Sequence, residues 1–246
     1  MRVLVTRPQE DAGSLMEQIE AMGHQVVTAP LLEIIPDPPR HVDLTGVQAV
    51  AATSRNALRA IAGCHWLPPV LQLPMLAVGA ATAEAARSLG FRRVVVGPGD
   101  ARGLALIARD VLRPAAGVLL HLSGSEIAFD LAAALQPEGY ATRRVIVYRT
   151  AERTELPSQV ADRLRHGEID AVLLMSPRTA EVYARLVISA GLAEAARRPA
   201  HLCLSERIAA RLAALAPDLV KVSAQPTTEE MLALVGHLAA QSPPWS

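Results

Sequence analysis

The sequence predicts an α/β fold: two doubly wound, flavodoxin-like domains with parallel sheets, joined by a two-stranded hinge and related by internal duplication. Short apolar runs of strand length alternate with helical patterns throughout the chain. The 246 residues are enough for two domains, each with its own core. The segment AVAATSRNA (49–57) returns as AVLLMSPRTA (171–180), with an equally apolar opening, a serine after it and an arginine close behind.

The sequence of the first half predicts strands that alternate with helices, with one extended segment between the second and third strands. In the helix over 11–23, the spacing places Leu15, Ile19 and Met22 on one face, and Gly23 ends the helix. The predicted elements are strands at 2–6 and 24–29, an extended proline-ended segment at 29–39, a strand at 47–52, a helix from Arg55, a strand at 74–79, a helix over 81–89 ending at Gly90, a strand at 93–96, and the turn GPGDARG (97–103) before a helix.

The second half repeats the alternation. Its elements are a strand at 118–122, a helix from about Ser125 to Leu135, a strand at 142–148 within the β-branched segment that continues to 152, and strands at 169–175, 201–204 and 219–223, each followed by a helix, the last near 228–240. Strands that alternate with helices imply parallel sheets covered on both faces.

The repeat is longer than the opening pair of segments. Residues 117–150 resemble residues 1–35, and residues 168–240 resemble residues 44–112. One two-strand piece and one three-strand piece make a five-stranded domain, so either sequential or nested pairing is open. The extended segments 29–39 and 145–152 favour nesting, with both crossing between domains and pairing as a hinge. We therefore expect one domain from 1–35 plus 151–246 and an inserted domain from 38–147.

Composition restricts the function classes. The net charge is zero, which gives nucleic-acid binding little support, and no apolar run approaches the ~18 residues of a membrane span. The amino terminus lacks the roughly 7–15 apolar residues of a secretory signal, and the two cysteines, Cys64 and Cys203, fit a reducing compartment. We expect a cytoplasmic protein without membrane or nucleic-acid contact.

Ser54 and Ser176 each follow an apolar strand and precede a helix. A serine there is typical of an N-cap, and Pro177 suits the first helical position. In doubly wound folds ligands bind at the carboxyl ends of strands, where helix N-termini offer free N–H groups and a partial positive charge. The repeated segment therefore predicts two anion-binding sites facing each other across a cleft.

An ordered set of motifs resembles the uroporphyrinogen-III synthase family. The motifs are VLVTRP near the start, Pro30-Leu31 with Ile34 and Pro36, TSRNA (53–57), AVGAATAEA (77–85), VYRT (147–150) and IDAVLLMSP (169–177). Each is weak alone, but together they span the chain in the family's order. The pattern Gly-x-x-Thr-Ala is kept at Gly79–Ala83, whereas Ser205–Ala209 has lost both its glycine and its threonine.

The resemblance implies an enzyme without cofactor or metal that closes hydroxymethylbilane, a linear tetrapyrrole, into uroporphyrinogen III and inverts the last ring. It is a lyase of haem biosynthesis. Loss of the terminal hydroxyl gives an azafulvene, and attack at a substituted pyrrole carbon then gives a spiro intermediate. Tyr148 matches the family's usual catalytic candidate, which assists departure of the hydroxyl as a proton donor. We expect a monomer that binds this small anionic substrate and makes transient contact with the preceding pathway enzyme.

The residues expected to contact the substrate lie at strand ends and helix starts. They are Arg7, Thr53, Ser54, Arg55, Gly79, Thr82, Ser123, Ser176, Pro177 and Ser205. Thr227 and Glu230 have capping-box spacing, and His201 with Cys203 fits a core strand rather than a metal site.

Two other function classes compete with the enzyme. A non-catalytic two-domain module that binds a tetrapyrrole or another small anion is kept open by the altered segment Ser205–Ala209. A periplasmic-type solute receptor would have two similar domains, but it would need the export signal.

Overall fold

The computed structural model describes residues 1–241, except for the side chains of residues 9–11. The chain divides into two compact units. The terminal unit contains residues 1–33 and the residues from 152 onward, and the inserted unit contains residues 34–151. The chain passes between the units twice, at Glu33–Ile34 and at Ala151–Glu152.

Strands and helices alternate along most of the described chain. The strands are β1 (Arg2–Val5), β2 (Gln25–Thr28), β3 (Leu32–Pro36), β4 (Val47–Ala52), β5 (Met75–Ala77), β6 (Val94–Val96), β7 (Val118–Gly124), β8 (Ala141–Glu152), β9 (Ala171–Leu174), β10 (Ala200–Cys203) and β11 (Val220–Val222). The helices are α1 (Gln9–Ala21), α2 (Arg55–Ile61), α3 (Leu67–Val70), α4 (Ala80–Leu89), α5 (Ala101–Val111), α6 (Leu131–Leu135), α7 (Ser158–Arg165), α8 (Pro177–Ser189), α9 (Ala193–Arg197), α10 (Glu206–Ala209) and α11 (Thr228–Gln241).

The sheet of the terminal unit has the order β11-β10-β9-β1-β2, and all its strands are parallel. β1 and β9, far apart in sequence, are neighbours, with Val3 opposite Ala171. Both faces of the sheet are covered by apolar packing, which is the usual state of a parallel sheet. The apolar, non-alternating composition of β1 and β9 follows from this burial.

The sheet of the inserted unit has the order β3-β8-β7-β4-β5-β6. The strands from β4 to β8 are parallel. β3 runs antiparallel to β8: the Asp37 amide donates to the Val147 carbonyl over 2.8 Å, and the Arg153 amide donates to the Leu31 carbonyl over 3.0 Å. The two extended segments of the sequence therefore pair with each other.

The two sheets have the same order when corresponding pieces of the repeat are matched. β2-β1-β9-β10-β11 in the terminal unit corresponds to β8-β7-β4-β5-β6 in the inserted unit. In chain order the terminal unit has the 2-1-3-4-5 arrangement of flavodoxin-like folds. The inserted unit has that arrangement in circularly permuted form, because its three-strand piece comes first.

Glycines and short polar side chains set the helix boundaries. Gly23 and Gly90 have φ values of +81° and +112°, the left-handed conformation that stops a helix and that glycine adopts at least cost. At α11, the Glu230 amide donates to Thr227 Oγ1 over 3.2 Å, which is one half of the predicted capping box.

Two local predictions are wrong. Met22 does not share the buried face of Leu15 and Ile19: α1 ends at Ala21, and Met22 is 39% exposed. The helix expected from Ser125 begins only at Leu131, where Asp130 accepts from the amides of Ala132 and Ala133 at 3.0 Å. The Ser125 carbonyl accepts from the Arg144 side chain.

None of the helices within residues 1–241 combines the length and the apolar character that crossing a membrane requires.

Candidate functional site

The connections from the two central strands of each sheet diverge. In the inserted unit, β4 leads to β5 on one side, while its neighbour β7 leads to β8 on the other. In the terminal unit, β1 leads to β2 and its neighbour β9 leads to β10. Such a divergence leaves a crevice at the carboxyl ends of the strands, which is where ligands bind in open α/β sheets. We call residues 53–55 and 123–125 the inserted rim, and residues 6–8 and 176–178 the terminal rim.

A cavity of about 210 Å³ lies at the inserted rim. Hydroxyl groups, a glycine and aromatic rings line it together. Its lining includes Thr53, Ser54, Ala101, Gly124, Phe129 and Tyr148. The cavity therefore contains Tyr148, the predicted proton donor, and two predicted substrate contacts.

Ser54 is the N-cap of α2. Its backbone is extended, and the Asn56 amide donates to its Oγ over 3.1 Å. Arg55, the first residue of the helix, is half-buried. The start of α2 carries the partial positive charge of a helix N-terminus.

Thr53 contacts a buried histidine. Its Oγ1 lies 3.4 Å from Nε2 of His121, which is 2% exposed on the neighbouring strand β7. Burial lowers the pKa of His121 to about 4, and the positive charge of Arg144 contributes in the same direction. His121 is therefore neutral at physiological pH.

Tyr148 reaches the cavity through an irregularity in strand pairing. Ser123 pairs with Ile146, but Gly124 pairs with Tyr148, so β8 contains one extra residue at this point. Such a bulge interrupts the alternation of side chains. As a result Val147 and Tyr148, which are consecutive, both pack on the same core cluster.

Ser123 is 1% exposed and is engaged within the protein. Its Oγ accepts from Arg144 Nε over 2.8 Å and donates to the Gly124 carbonyl over 3.1 Å. Arg144 Nη2 also donates to the carbonyls of Gly124 and Ser125, each over 2.7 Å. The serine predicted to contact the substrate thus holds an arginine against the inserted rim.

Gly79 and Thr82 lie at the start of α4 and are not part of the cavity lining, although the preceding Val78 is. Gly79 is the N-cap, and a Cβ there would come within 3.1 Å of the Gly99 Cα. The Gly99 amide donates to the Val78 carbonyl over 2.8 Å, so the GPGDARG turn lies against the end of β5. Thr82 is buried.

The terminal rim has the second capping serine. Ser176 is the N-cap of α8, and its Oγ accepts from the Thr179 amide over 3.1 Å, with Pro177 as the first helical residue. Arg7 Nη1 is 3.7 Å from the Met175 sulfur. Arg178 Nε donates to Glu152 Oε1 over 2.9 Å, so this first-turn arginine is ion-paired rather than simply solvated.

Ser205 differs from the other two serines. It precedes α10, which has four residues, and its side chain makes no capping hydrogen bond. Its counterpart in the inserted unit, Gly79, precedes a helix of ten residues. The departure from Gly-x-x-Thr-Ala therefore coincides with a shorter helix.

Within residues 1–241, no group of three or more His, Cys, Asp or Glu side chains is placed to hold a metal ion. His201 and Cys203 are buried in the core, as the sequence predicts for a core strand. Burial lowers the pKa of His201 to about 4 and, with a contribution from Glu206, raises the pKa of the Cys203 thiol to about 12.

A family model described as "Uroporphyrinogen-III synthase HemD" matches residues 13–233, which is most of the chain. The chain belongs to the uroporphyrinogen-III synthase family. A comparison with curated protein sequences gives no match.

Solved structures with similar folds agree with this family. The uroporphyrinogen-III synthetase of Helicobacter pylori superposes with a TM-score of 0.69 and 16% identity, covering 97% of this chain and 100% of that one. A mutant uroporphyrinogen III synthase of Thermus thermophilus gives a TM-score of 0.55 and 20% identity, covering 98% and 100%. At these identities the likeness establishes the two-domain α/β fold.

Sequence reasoning missed several residues of the inserted rim. Gly124, His121 and Phe129 received no role, and Arg144 was only part of a strand. The glycine after a buried strand in VLLHLSG was a usable signal for close backbone approach. No sequence signal marked Arg144, because its contact with Ser123 depends on the register between β7 and β8.

Proposed function

We propose that the chain carries out the reaction for which its family is named. It closes hydroxymethylbilane into uroporphyrinogen III, with inversion of the last ring and loss of one water, as a lyase of haem biosynthesis. The support is the family match over residues 13–233 together with a cavity that contains Tyr148 beside two hydroxyl side chains. The observation that carries the proposal is this meeting of Tyr148, Thr53 and Ser54 at the crevice of a doubly wound sheet.

In the proposed mechanism Tyr148 gives its phenolic proton to the terminal hydroxyl of the substrate as the C–O bond breaks. Water leaves, and the electron pair of the pyrrole nitrogen forms the azafulvene in its N-protonated, cationic form. A substituted pyrrole carbon attacks this electrophile to give the spiro intermediate, which fragments and closes again at the neighbouring position. The proton lost from the pyrrole carbon in the final step balances the proton given at the start, so no oxidant or reductant is needed.

The remaining predicted contacts are proposed to bind the acetate and propionate groups of the substrate. The starts of α2 and α8 are suited to carboxylates, because a helix N-terminus carries a partial positive charge. Thr53, Ser54 and Arg55 serve this role in the inserted rim, and Arg7 and Ser176 serve it in the terminal rim. Pro177 has no N–H to donate, so its proposed contact with the substrate is apolar. Gly79, Thr82 and Ser205 are assigned to the substrate on the resemblance alone.

The test is an assay of the product isomer. Hydroxymethylbilane closes spontaneously to uroporphyrinogen I, so isomer III formed above the enzyme-free background identifies the enzyme. We expect isomer III as the main product at micromolar enzyme. If the protein binds the substrate and only isomer I forms at the background rate, the chain is instead a non-catalytic module that binds a tetrapyrrole.

We further propose that residues 1–35 with 151–246 and residues 38–147 are the two domains, and that the protein acts as a cytoplasmic monomer in transient contact with the preceding pathway enzyme. The division of strands between two sheets supports the domain assignment. Residues 38–147 expressed alone should give dispersed amide NMR signals and a cooperative melt. A fragment without either would contradict the assignment.

A further inference from the structure

Neighbouring residues, rather than the regular alternation of side chains along β8, set the position of the Tyr148 ring. In a regular pairing, Gly124 would lie opposite Val147, and Tyr148 would point to the other face of the sheet from Val147. The register shift between Ser123 and Gly124 places Tyr148 opposite Gly124 instead. A bulge of this kind re-aims a side chain, here toward the cavity that Thr53 and Ser54 also line.

Gly124 provides the space for the ring. A Cβ built on Gly124 would lie 2.7 Å from Cζ, 2.8 Å from Cε2 and 3.0 Å from the hydroxyl oxygen of Tyr148. These separations are below van der Waals contact, so any side chain at Gly124 would push the ring and its hydroxyl away. The Ser125 amide also donates to the Tyr148 carbonyl over 2.9 Å, which ties the two segments together.

Arg144 holds the segment that carries Gly124. Its guanidinium donates from Nε to Ser123 Oγ and from Nη2 to the carbonyls of Gly124 and Ser125. Three consecutive residues are thus attached to one planar group. A lysine ammonium is a point donor on a flexible stem and cannot reproduce this fork.

From these contacts we infer that Gly124 and Arg144 are positioning residues that act through Tyr148: Arg144 fixes residues 123–125, and Gly124 leaves the gap in which the Tyr148 ring presents its hydroxyl to the cavity. This inference rests on the proposed function for its catalytic consequence. The position that it assigns to the Tyr148 ring does not depend on the proposed function.

The kinetic test is a pair of double-mutant cycles. Gly124→Ala should lower kcat nearly as much as Tyr148→Phe does, and Arg144→Lys should lower it severalfold, with smaller changes in KM. Residues that act through one group are not additive with its removal. Adding either substitution to Tyr148→Phe should therefore change kcat by less than about twofold. If both pairs are additive, the two residues do not act through Tyr148.

Matched controls come from the same unit. Gly63 has no atom within 4 Å of a built Cβ, so Gly63→Ala tests the loss of a glycine without displacement of a neighbour. Arg143 precedes Arg144 on the same strand and forms an exposed ion pair with Asp43. Arg143→Lys should leave kcat unchanged.

The independent readout is the ¹⁹F NMR spectrum of protein labelled with 3-fluorotyrosine. The chain has three tyrosines, and the resonance lost in Tyr148→Phe identifies Tyr148. That resonance should move in Gly124→Ala and Arg144→Lys, while those of Tyr140 and Tyr183 stay in place. It should not move in the two controls.

The two readouts separate the two claims. If Tyr148→Phe retains the wild-type kcat but the Tyr148 resonance still moves, the proposed catalytic role fails and the positioning inference stands. An unchanged Tyr148 resonance in both variants overturns the inference, whatever the kinetics show. Should Gly124→Ala fail to fold, Arg144→Lys with its control decides the result alone.

Discussion

In both rims the helix start after one central strand is built alike, and we call it the shared half. The neighbouring segments are built differently, and we call them the differing half. Each has a capping serine after a central strand, Ser54 or Ser176, that accepts from an amide of its own helix. On the neighbouring strand β7, the inserted rim has the Ser123–Gly124 segment, and the next strand, β8, carries the bulged Tyr148, which lines the cavity. The terminal rim has Arg7 beside Met175, and the nearby Arg178 is ion-paired with Glu152.

The difference separates two tasks. The shared half is suited to binding carboxylates, because a helix start carries a partial positive charge that attracts an anion. The differing half is suited to proton transfer, which needs one donor at a defined position. Under the proposed function, both rims bind carboxylates and only the inserted unit supplies the proton donor.

The largest expected effect comes from placing a negative charge in each shared half. Ser54→Asp and Ser176→Asp keep a good N-cap, so both proteins should fold. Two unit charges ~4 Å apart repel by about 4 kcal/mol at an effective dielectric of 20, which is up to about a thousandfold in affinity. We expect the apparent KM for hydroxymethylbilane to rise by up to that factor in both variants.

Thermal melts of the two Asp variants control for folding. An increase in KM at Ser54 alone would show that the terminal rim does not bind a carboxylate. If both folded variants bound the substrate like the wild type, neither serine would face it, and the repeated segment would be structural only.

The loss of stability at low pH can be compared between the cores of the two units. Burial lowers the pKa values of His121 in the inserted unit and His201 in the terminal unit, each to about 4. Between pH 6.5 and pH 4 the folded state binds fewer protons than the unfolded chain, so stability is complete above pH 6.5 and declines as the pH falls. From pH 7.5 to pH 5 each histidine should cost roughly 2 kcal/mol of unfolding free energy.

Urea unfolding at the two pH values measures this loss. His201 is fully buried on a core strand, so His201→Leu should fold and remove about half of the acid sensitivity. An unchanged pH dependence in this variant would show that His201 does not titrate as expected.

The smallest predicted effect is the loss of stability when one of the three strand-end serines is replaced by alanine. Ser54→Ala and Ser176→Ala each remove a capping hydrogen bond and should cost about 1 kcal/mol of stability. Ser205 makes no side-chain cap, so Ser205→Ala should stay within about 0.5 kcal/mol of the wild type. Equal losses at all three positions would contradict the difference between the two copies.

Local patterns were enough to predict the shared half of the two rims. The position of Ser176 after an apolar strand and before a proline predicted its cap, and the parallel order of strands and helices predicted the fold class. The differing half depends on register. The bulge at Tyr148, the gap above Gly124 and the reach of Arg144 arise from pairing between β7 and β8, which residue periodicity does not encode.

The loop from Ser125 to Asp130 shows the same limit. Its sequence is compatible with a helix, but Arg144, far along the chain, binds the Ser125 carbonyl, and Asp130 caps a later start. The later start thus coincides with a tertiary contact and a cap that the local pattern did not indicate.

The most direct test of whether the proton donor lies in the inserted unit is the kcat of Tyr148→Phe, with Tyr140→Phe as the matched control. The Tyr140 hydroxyl donates to the Arg109 carbonyl over 3.2 Å, away from the cavity lining. General-acid assistance is typically worth ~10²–10⁴-fold, and the low end applies here because the pyrrole nitrogen already expels the hydroxyl. We predict that Tyr148→Phe lowers kcat by about 10- to 100-fold with an unchanged melting temperature, while Tyr140→Phe retains kcat. A decrease of less than about twofold in Tyr148→Phe would contradict the assignment of the proton donor to the inserted rim.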